Sequence, residues 1–308
     1  MHNHGSVPKK GILAALWLPT DASGNLLHAE LAAHIEFLKR AGVYGILALG
    51  STGEFPFMDV NQRKRALTVV AELAAPLPVI ANISDINPRV VSELGRTARE
   101  LGLPAVAIMP PGFFPSTQDD ALAHFLNAAE SSQLPTFLYN FPELIGTRIA
   151  IETVAAFADR ANMAGIKQSG GEFAYHKELI ALGREKNFVV FSGADTRLPE
   201  VFGLGAAGCI GGIVNIAPEL MVQIYRICHE GAAGDVSVPF TRMQEIGKII
   251  DRLPFSLNVA AGVQARGYSP GVLKQAVSPR SAELSAGIVR DLRAKFAEWN
   301  LPLGPYAS

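Results

Sequence analysis

Short apolar runs alternate with amphipathic stretches along the first three-quarters of the chain. Eight of the runs read as strands: residues 11–20, 44–50, 77–83, 105–110, 135–141, 163–169, 188–194 and 208–213. Each has a β-branched or aromatic apolar centre, and most end on Gly, Pro or Ser. Between them lie helix-length segments at 27–41, 61–75, 87–102, 118–133, 149–161 and 172–186, with a last one at 216–231. Leu31, Ile35 and Leu38 recur at i, i+4 and i+7 in the first, and Ala66, Val70 and Leu73 form the stripe of the second. Asn87 followed by Pro88 marks a helix start.

Regular strand–helix alternation points to parallel βαβ units, and eight repeats point to closure. The expected fold is therefore α/β, a (β/α)8 TIM barrel over residues 11–231, with a doubly wound open sheet as the structural alternative. After residue 231 helical segments at 239–253, 256–266 and 281–300 follow without strands between them. Residues 232–308 are read as an appended C-terminal helical region packed on the barrel, and residues 1–10 as a disordered tail carrying His2 and His4.

Composition narrows the function classes. The 308 residues are 49% hydrophobic and 18% charged, with a formal net charge of -1. That balance favours neither disorder nor a polyanion partner, and no Lys/Arg-rich run suggests nucleic-acid binding. No apolar stretch reaches the length of a membrane helix. Lys9-Lys10 before the run 11–18 has the look of a short signal peptide, but eight apolar residues stopped by Pro19-Thr20 also fit a buried first barrel strand. Cys209 and Cys228 are the only cysteines and form no CxxC pair, so a reducing cytoplasm is the expected compartment. None of the histidines falls at a predicted strand end, which argues against a His-ligated metal hydrolase. Gly203, Gly205 and Gly208 spell GxGxxG but precede a strand, the wrong context for a dinucleotide site.

In a barrel the chemistry gathers where strands end. After strand two, Gly50-Ser51-Thr52-Gly53-Glu54 can cradle a carboxylate or oxyanion, or can simply cap the next helix. Tyr139 ends strand five, either as a proton shuttle or as a rim aromatic with its hydroxyl in water. Lys167 sits in strand six beside Met163, Ala164 and Ile166, whereas most of the ten lysines lie in helical or terminal stretches. Burying an ammonium is costly, and a neutral amine is the form that attacks a ketone to make an imine. The plainer alternative is a rim lysine paired with Asp195. Gly193 and Asp195 follow strand seven, and Ile210, Gly211 and Gly212 close strand eight, where glycines admit a small substrate or a phosphate.

Together GSTGE (50–54), YNFP (139–142), GIK (165–167) and GCIGGIVN (208–215) resemble the dihydrodipicolinate synthase / N-acetylneuraminate lyase family of class I aldolases, in order and at fitting spacings over roughly residues 11–231. The resemblance implies that Lys167 forms a Schiff base, that Tyr139 shuttles protons, and that Ser51 relays them. It implies that Ser51 and Thr52 bind the pyruvyl carboxylate and that Ile210 lies against pyruvate. It also implies a homotetramer that needs no metal or organic cofactor. Three departures shape the substrate expectation. Leu144 stands where the synthases carry an Arg that grips a second carboxylate. Thr196, not Glu, follows Asp195. The strand-four end, MPPGFFP (109–115), offers Phe113 or Phe114 in place of the family's Tyr.

The expected function is a Schiff-base-forming lyase on a 2-oxo acid: a pyruvate-releasing or pyruvate-condensing aldolase, or a 2-keto-3-deoxy sugar acid dehydratase. Leu144 favours substrates whose distal end is neutral or apolar. The alternatives are dihydrodipicolinate synthase proper, a phosphate-binding barrel enzyme without a Schiff base, and, from another class, a non-catalytic keto-acid-binding paralogue.

Overall fold

The computed structural model describes residues 5–307. Its eight strands are β1 (Gly11–Ala15), β2 (Gly45–Ala48), β3 (Val79–Asn82), β4 (Ala105–Ile108), β5 (Thr136–Asn140), β6 (Met163–Gln168), β7 (Val189–Ser192) and β8 (Gly208–Gly211). They pair in sequence order, all parallel, and β8 closes on β1 through the register Gly11↔Gly208 to Ala14↔Gly211. That closure rules out the open sheet. The apolar runs lack clean alternation because helices cover the strands outside while barrel-filling side chains cover them inside. The segment 11–18 is buried throughout, and its first five residues are a central barrel strand.

The helices around the sheet are α1 (His28–Ala41), α2 (Val60–Ala74), α3 (Pro88–Glu100), α4 (Gln118–Ser132), the one-turn α5 (Pro142–Ile145), α6 (Ile151–Arg160), α7 (Phe173–Lys186), α8 (Leu198–Leu204) and α9 (Pro218–His229). Their starts are local and legible. Asp59 and Gln62 form a capping box on α2, and Thr117 caps α4. Gly42 ends α1 in the left-handed region. The sequence pattern misses α5 and α8, both too short to develop a stripe.

Three further helices follow: α10 (Ser237–Ile250), α11 (Leu257–Ala265) and α12 (Pro279–Glu298). Arg266 fastens them to the barrel. Its guanidinium pairs with Glu219 of α9 and lies between the rings of Phe37 on α1 and Phe296 on α12, at 5.1 and 5.2 Å. A planar cation can use its edge for a carboxylate and its faces for aromatics. Of the expected disordered tail, residues 1–4 with His2 and His4 lie outside the described residues. Residues 5–10 differ from the expectation: Pro8 is buried and Val7 packs against the core. Among the described residues no helix is long and apolar enough to cross a membrane.

Candidate active site

β5 and β6 pair in the register Tyr139↔Lys167 and Asn140↔Gln168. Paired residues of parallel strands project to the same side, and successive residues to opposite sides. Tyr139 and Lys167 therefore share one face, and Asn140 and Gln168 the other. On their face, Asn140 Nδ2 donates to Gln168 Oε1 at 2.6 Å, and Asn140 Oδ1 accepts the N–H of Ile149 at 3.0 Å. This buried pair fixes the ends of both strands.

Lys167 Nζ donates to the Tyr139 hydroxyl at 3.1 Å and lies 4.2 Å from the centre of its ring. The Tyr139 hydroxyl donates to Ser51 Oγ at 3.3 Å, and Ser51 Oγ points on to Met109 Sδ at 3.9 Å. Lys167 is 6% exposed and Tyr139 2%. Neither plainer alternative survives: the phenol is buried, and among the described residues Lys167 Nζ bonds to Tyr139 and makes no ion pair with Asp195. The chain of donors ends at a thioether, a weak acceptor that carries no exchangeable proton.

Ser51 and Thr52 reach this point through a tight turn. Leu49 is left-handed at φ 57°, and its carbonyl accepts Asn82 Nδ2 at 2.6 Å. A non-glycine residue in that region needs outside support, and the Asn82 amide supplies it. Ser51–Gly53 then form one 3-10 turn whose bonds use the N–H groups of Gly53 and Glu54. The N–H groups of Ser51 and Thr52 are not spent in the turn. Helix capping, the alternative role, falls to Asp59 instead.

Asp195 enters from the β7 side. Its Oδ2 accepts the N–H of Ile213 at 2.8 Å, and its Oδ1 accepts the Cys209 thiol at 3.3 Å. Burial raises the Asp195 pKa, against the lowering by the Ile213 N–H, the thiol and the Lys167 charge. Burial, then the Asp195 charge, pushes the Cys209 thiol well up, so Cys209 serves as a donor and not a nucleophile. Gly211 is required here, because a Cβ at that position would lie 2.0 Å from Asp195 Oδ1.

These groups line a cavity of about 340 Å3 at the C-terminal mouth of the barrel. Thr52, Tyr139, Lys167, Gly193, Asp195 and Ile210 of the expected set lie on its wall. Ser51 and Gly211 stand directly behind it, one bonded to Tyr139 and the other against Asp195. Leu144 requires correction. It is 49% exposed and lines a separate outer groove with Phe113 and Phe114, themselves 86% and 69% exposed. The α5 turn and left-handed Gly146 carry it outward, off the wall of this cavity. Neither Phe113 nor Phe114 reaches the Tyr139–Ser51 pair within this chain. Sequence reasoning missed Cys209, Met109, Phe141 and a wall from the C-terminal region made of Ile250, Asp251, Phe255, Asn258 and Val259.

Residues 8–295 match the model of the Dihydrodipicolinate synthetase family. The chain belongs to that family. An uncharacterised DapA-like lyase of Halobacterium salinarum is 28% identical over 290 residues, 94% of this chain and 93% of the relative. A 4-hydroxy-tetrahydrodipicolinate synthase of Pseudomonas syringae pv. syringae is 32% identical over 226 residues, 73% of this chain and 76% of the relative. The structure superposes with a TM-score of 0.84 and 27% identity on YagE, a prophage protein of the family from E. coli K12 in complex with pyruvate, covering 92% of this chain and 98% of YagE. Membership in the dihydrodipicolinate synthetase family makes the chain an enzyme, a class I pyruvate-dependent aldolase/lyase.

Proposed function

We propose that the protein is a Schiff-base-forming lyase acting on a 2-oxo acid, with Lys167 as nucleophile, Tyr139 as proton shuttle and Ser51 as relay. The observation that carries this reading is the continuous donor chain from Lys167 through Tyr139, on the wall of the cavity, to Ser51 behind it. A carboxylate accepted by the free N–H groups of Ser51 and Thr52 would set C2 of the acid against Lys167 Nζ, with Ile210 behind it.

The neutral amine adds to C2, and the carbinolamine oxygen takes a proton from the Tyr139 hydroxyl and leaves as water. The resulting iminium is an electron sink. For a 4-hydroxy-2-oxo acid, the Tyr139 phenolate removes the C4 hydroxyl proton. The C3–C4 bond breaks, its electron pair enters the iminium as an enamine, and an aldehyde leaves. Protonation of C3 and hydrolysis return pyruvate and the free amine. Condensation runs the same steps backwards, and a dehydratase would lose a C3 proton and then the C4 hydroxyl from the same intermediates. All electrons stay within the imine system, so the proposal needs no metal or organic cofactor. Thioether termination of the relay at Met109 keeps the shuttled proton on the Tyr139–Ser51 pair.

Proton exchange at C3 of pyruvate in deuterium oxide tests the reading without knowledge of the second substrate. Wild type is expected to exchange the methyl protons, and Lys167→Ala is not. Equal exchange by both would remove Lys167 from the chemistry. We also propose that copies of the chain assemble, with a homotetramer as the expected state, and that the exposed Phe113, Phe114 and Leu144 are covered in the assembly. Native mass spectrometry of the wild type and of Phe113→Ser/Phe114→Ser tests it: a smaller assembly is expected for the variant, and an unchanged one contradicts the assignment.

A further inference from the structure

The half of the cavity away from Lys167 is a different environment. Phe141 stacks on Tyr139 with ring centres 6.4 Å apart and planes at 21°. Phe255, from the segment between α10 and α11, meets Phe141 edge-on at 6.1 Å and 71°. Phe255 is 40% exposed although its ring is part of the cavity wall. Ile250 and Val259 extend the same apolar surface. A continuous aromatic corner thus leads outward from the catalytic phenol.

The charges around this corner disfavour an anion. Among the described residues, the only cationic side chain on the wall apart from Lys167 is Arg197. Its Nε and Nη2 donate to the two carboxylate oxygens of Glu200, and its guanidinium lies 3.8 Å over the ring of Phe173. Asp251 stands at the rim and, among the described residues, has no side-chain hydrogen bond or ion pair; its neighbour Arg252 pairs with Asp291. The Asp251 side chain is exposed, so its carboxylate is open to a donor from a ligand, and the partial burial of the group raises its pKa. Asn258 spends its Oδ1 on the N–H of Val259 at 2.7 Å and keeps its amide N–H groups free. A distal carboxylate there would stand beside the like charge of Asp251 and would have to share Arg197 with Glu200. A flat uncharged group would bury against Phe141 and Phe255 in the offset and edge-on geometries that aromatic rings prefer.

We propose that the distal half of the cavity takes an aryl group, so that the substrate is a 4-aryl-4-hydroxy-2-oxobutanoate and the aldol partner of pyruvate is an aromatic aldehyde. A ring hydroxyl is received by Asp251. This rests on the Schiff-base reading and deepens it: the C3–C4 bond breaks as described above, the electron pair stays in the enamine, the C4 hydroxyl proton goes to Tyr139, and the aryl aldehyde leaves. Leu144 plays no part. Phe141, Phe255 and Asp251 are the specificity-determining residues.

The test uses the whole 308-residue chain with pyruvate and four aldehydes: benzaldehyde, 3-hydroxybenzaldehyde, D-glyceraldehyde and aspartate semialdehyde. The expected order of kcat/KM places 3-hydroxybenzaldehyde and benzaldehyde above the other two by roughly tenfold or more, the range that hydrophobic-pocket discrimination reaches. Within Phe255→Ala, the ratio of benzaldehyde to D-glyceraldehyde use falls by about tenfold or more, mainly through KM. Within Asp251→Asn, the ratio of 3-hydroxybenzaldehyde to aspartate semialdehyde use falls. Preference for aspartate semialdehyde or D-glyceraldehyde in the wild type overturns the proposal, as do ratios that both variants leave unmoved. C3 exchange of pyruvate, measured alongside, separates the two levels. Exchange without aryl preference overturns only the aryl assignment, whereas absence of exchange overturns the Schiff-base reading and the aryl assignment together.

Discussion

His34 is expected to make the fold acid-sensitive, and the structure fixes the sign. The side chain is buried on α1, with Nε2 3.1 Å from Asn215 Oδ1. Asn215 Oδ1 also accepts the N–H of Trp17 at 2.9 Å, while its Nδ2 donates to the carbonyls of Ala15 and Gly212. The amide orientation is therefore determined, and the imidazole must carry its proton on Nε2. His34 Nδ1 is buried without a partner. A second proton there would meet no acceptor among the described residues, and burial pushes the pKa from 6.5 down to about 4, opposed by the bond to Asn215. Below pH 6.5 the unfolded chain binds a proton that the folded chain refuses, so stability falls with pH until about 4. A gap of about 2.5 pH units at about 1.4 kcal/mol each amounts to about 3 kcal/mol. Urea unfolding of wild type and His34→Gln at pH 7.5 and 4.5 measures it. The variant keeps a donor for Asn215 and cannot titrate. Wild type is expected to lose about 2–3 kcal/mol more than the variant over that interval. Parallel losses in both proteins would refute the reasoning.

Three further outcomes follow from the geometry. Tyr139→Phe is expected to slow turnover by roughly 10²–10⁴, and Ser51→Ala by less, because the phenol handles every proton and the hydroxyl only relays; steady-state kcat with pyruvate and any accepted aldehyde decides, and near-normal turnover of Tyr139→Phe would remove it from the mechanism. Gly211→Ala drives a methyl group to 2.0 Å from Asp195 Oδ1, so kcat/KM is expected to fall on the order of 10² while circular dichroism stays unchanged; full activity would show that the Asp195 position is immaterial. Glu54, 1% exposed, faces Lys274 Nζ at 3.4 Å and accepts Ser256 Oγ at 2.5 Å; Glu54→Gln leaves a buried ammonium with the Leu18 carbonyl at 2.8 Å and is expected to cost about 3 kcal/mol in urea unfolding, largely recovered in Glu54→Gln/Lys274→Met. A single variant as stable as wild type contradicts that account.

What was legible in the sequence follows from range. Lys167 stood out because a charged residue inside an apolar strand breaks a local pattern. Tyr139 was visible at a strand end, but its bond to Lys167 depends on the β5–β6 register, which periodicity alone does not set. The Cys209 thiol on Asp195 depends likewise on the β7–β8 register Ser192↔Cys209. Leu144 enters the expected site only through the family resemblance, and no local pattern shows that the one-turn α5 swings it outward. Phe255 and Asp251 were invisible as site residues because they come from the helical region, far along the chain from Lys167. The order of residues 5–10 also escaped notice, since Val7 and Pro8 find their partners only once the barrel exists.

The central claim is that Lys167 is the amine that forms the covalent intermediate. Incubation with pyruvate, reduction with borohydride and peptide mass analysis test it most directly. One reduced pyruvyl adduct is expected, on the peptide carrying Lys167 and absent without pyruvate. An adduct on another lysine, including the buried Lys274, or no adduct at all, would contradict it.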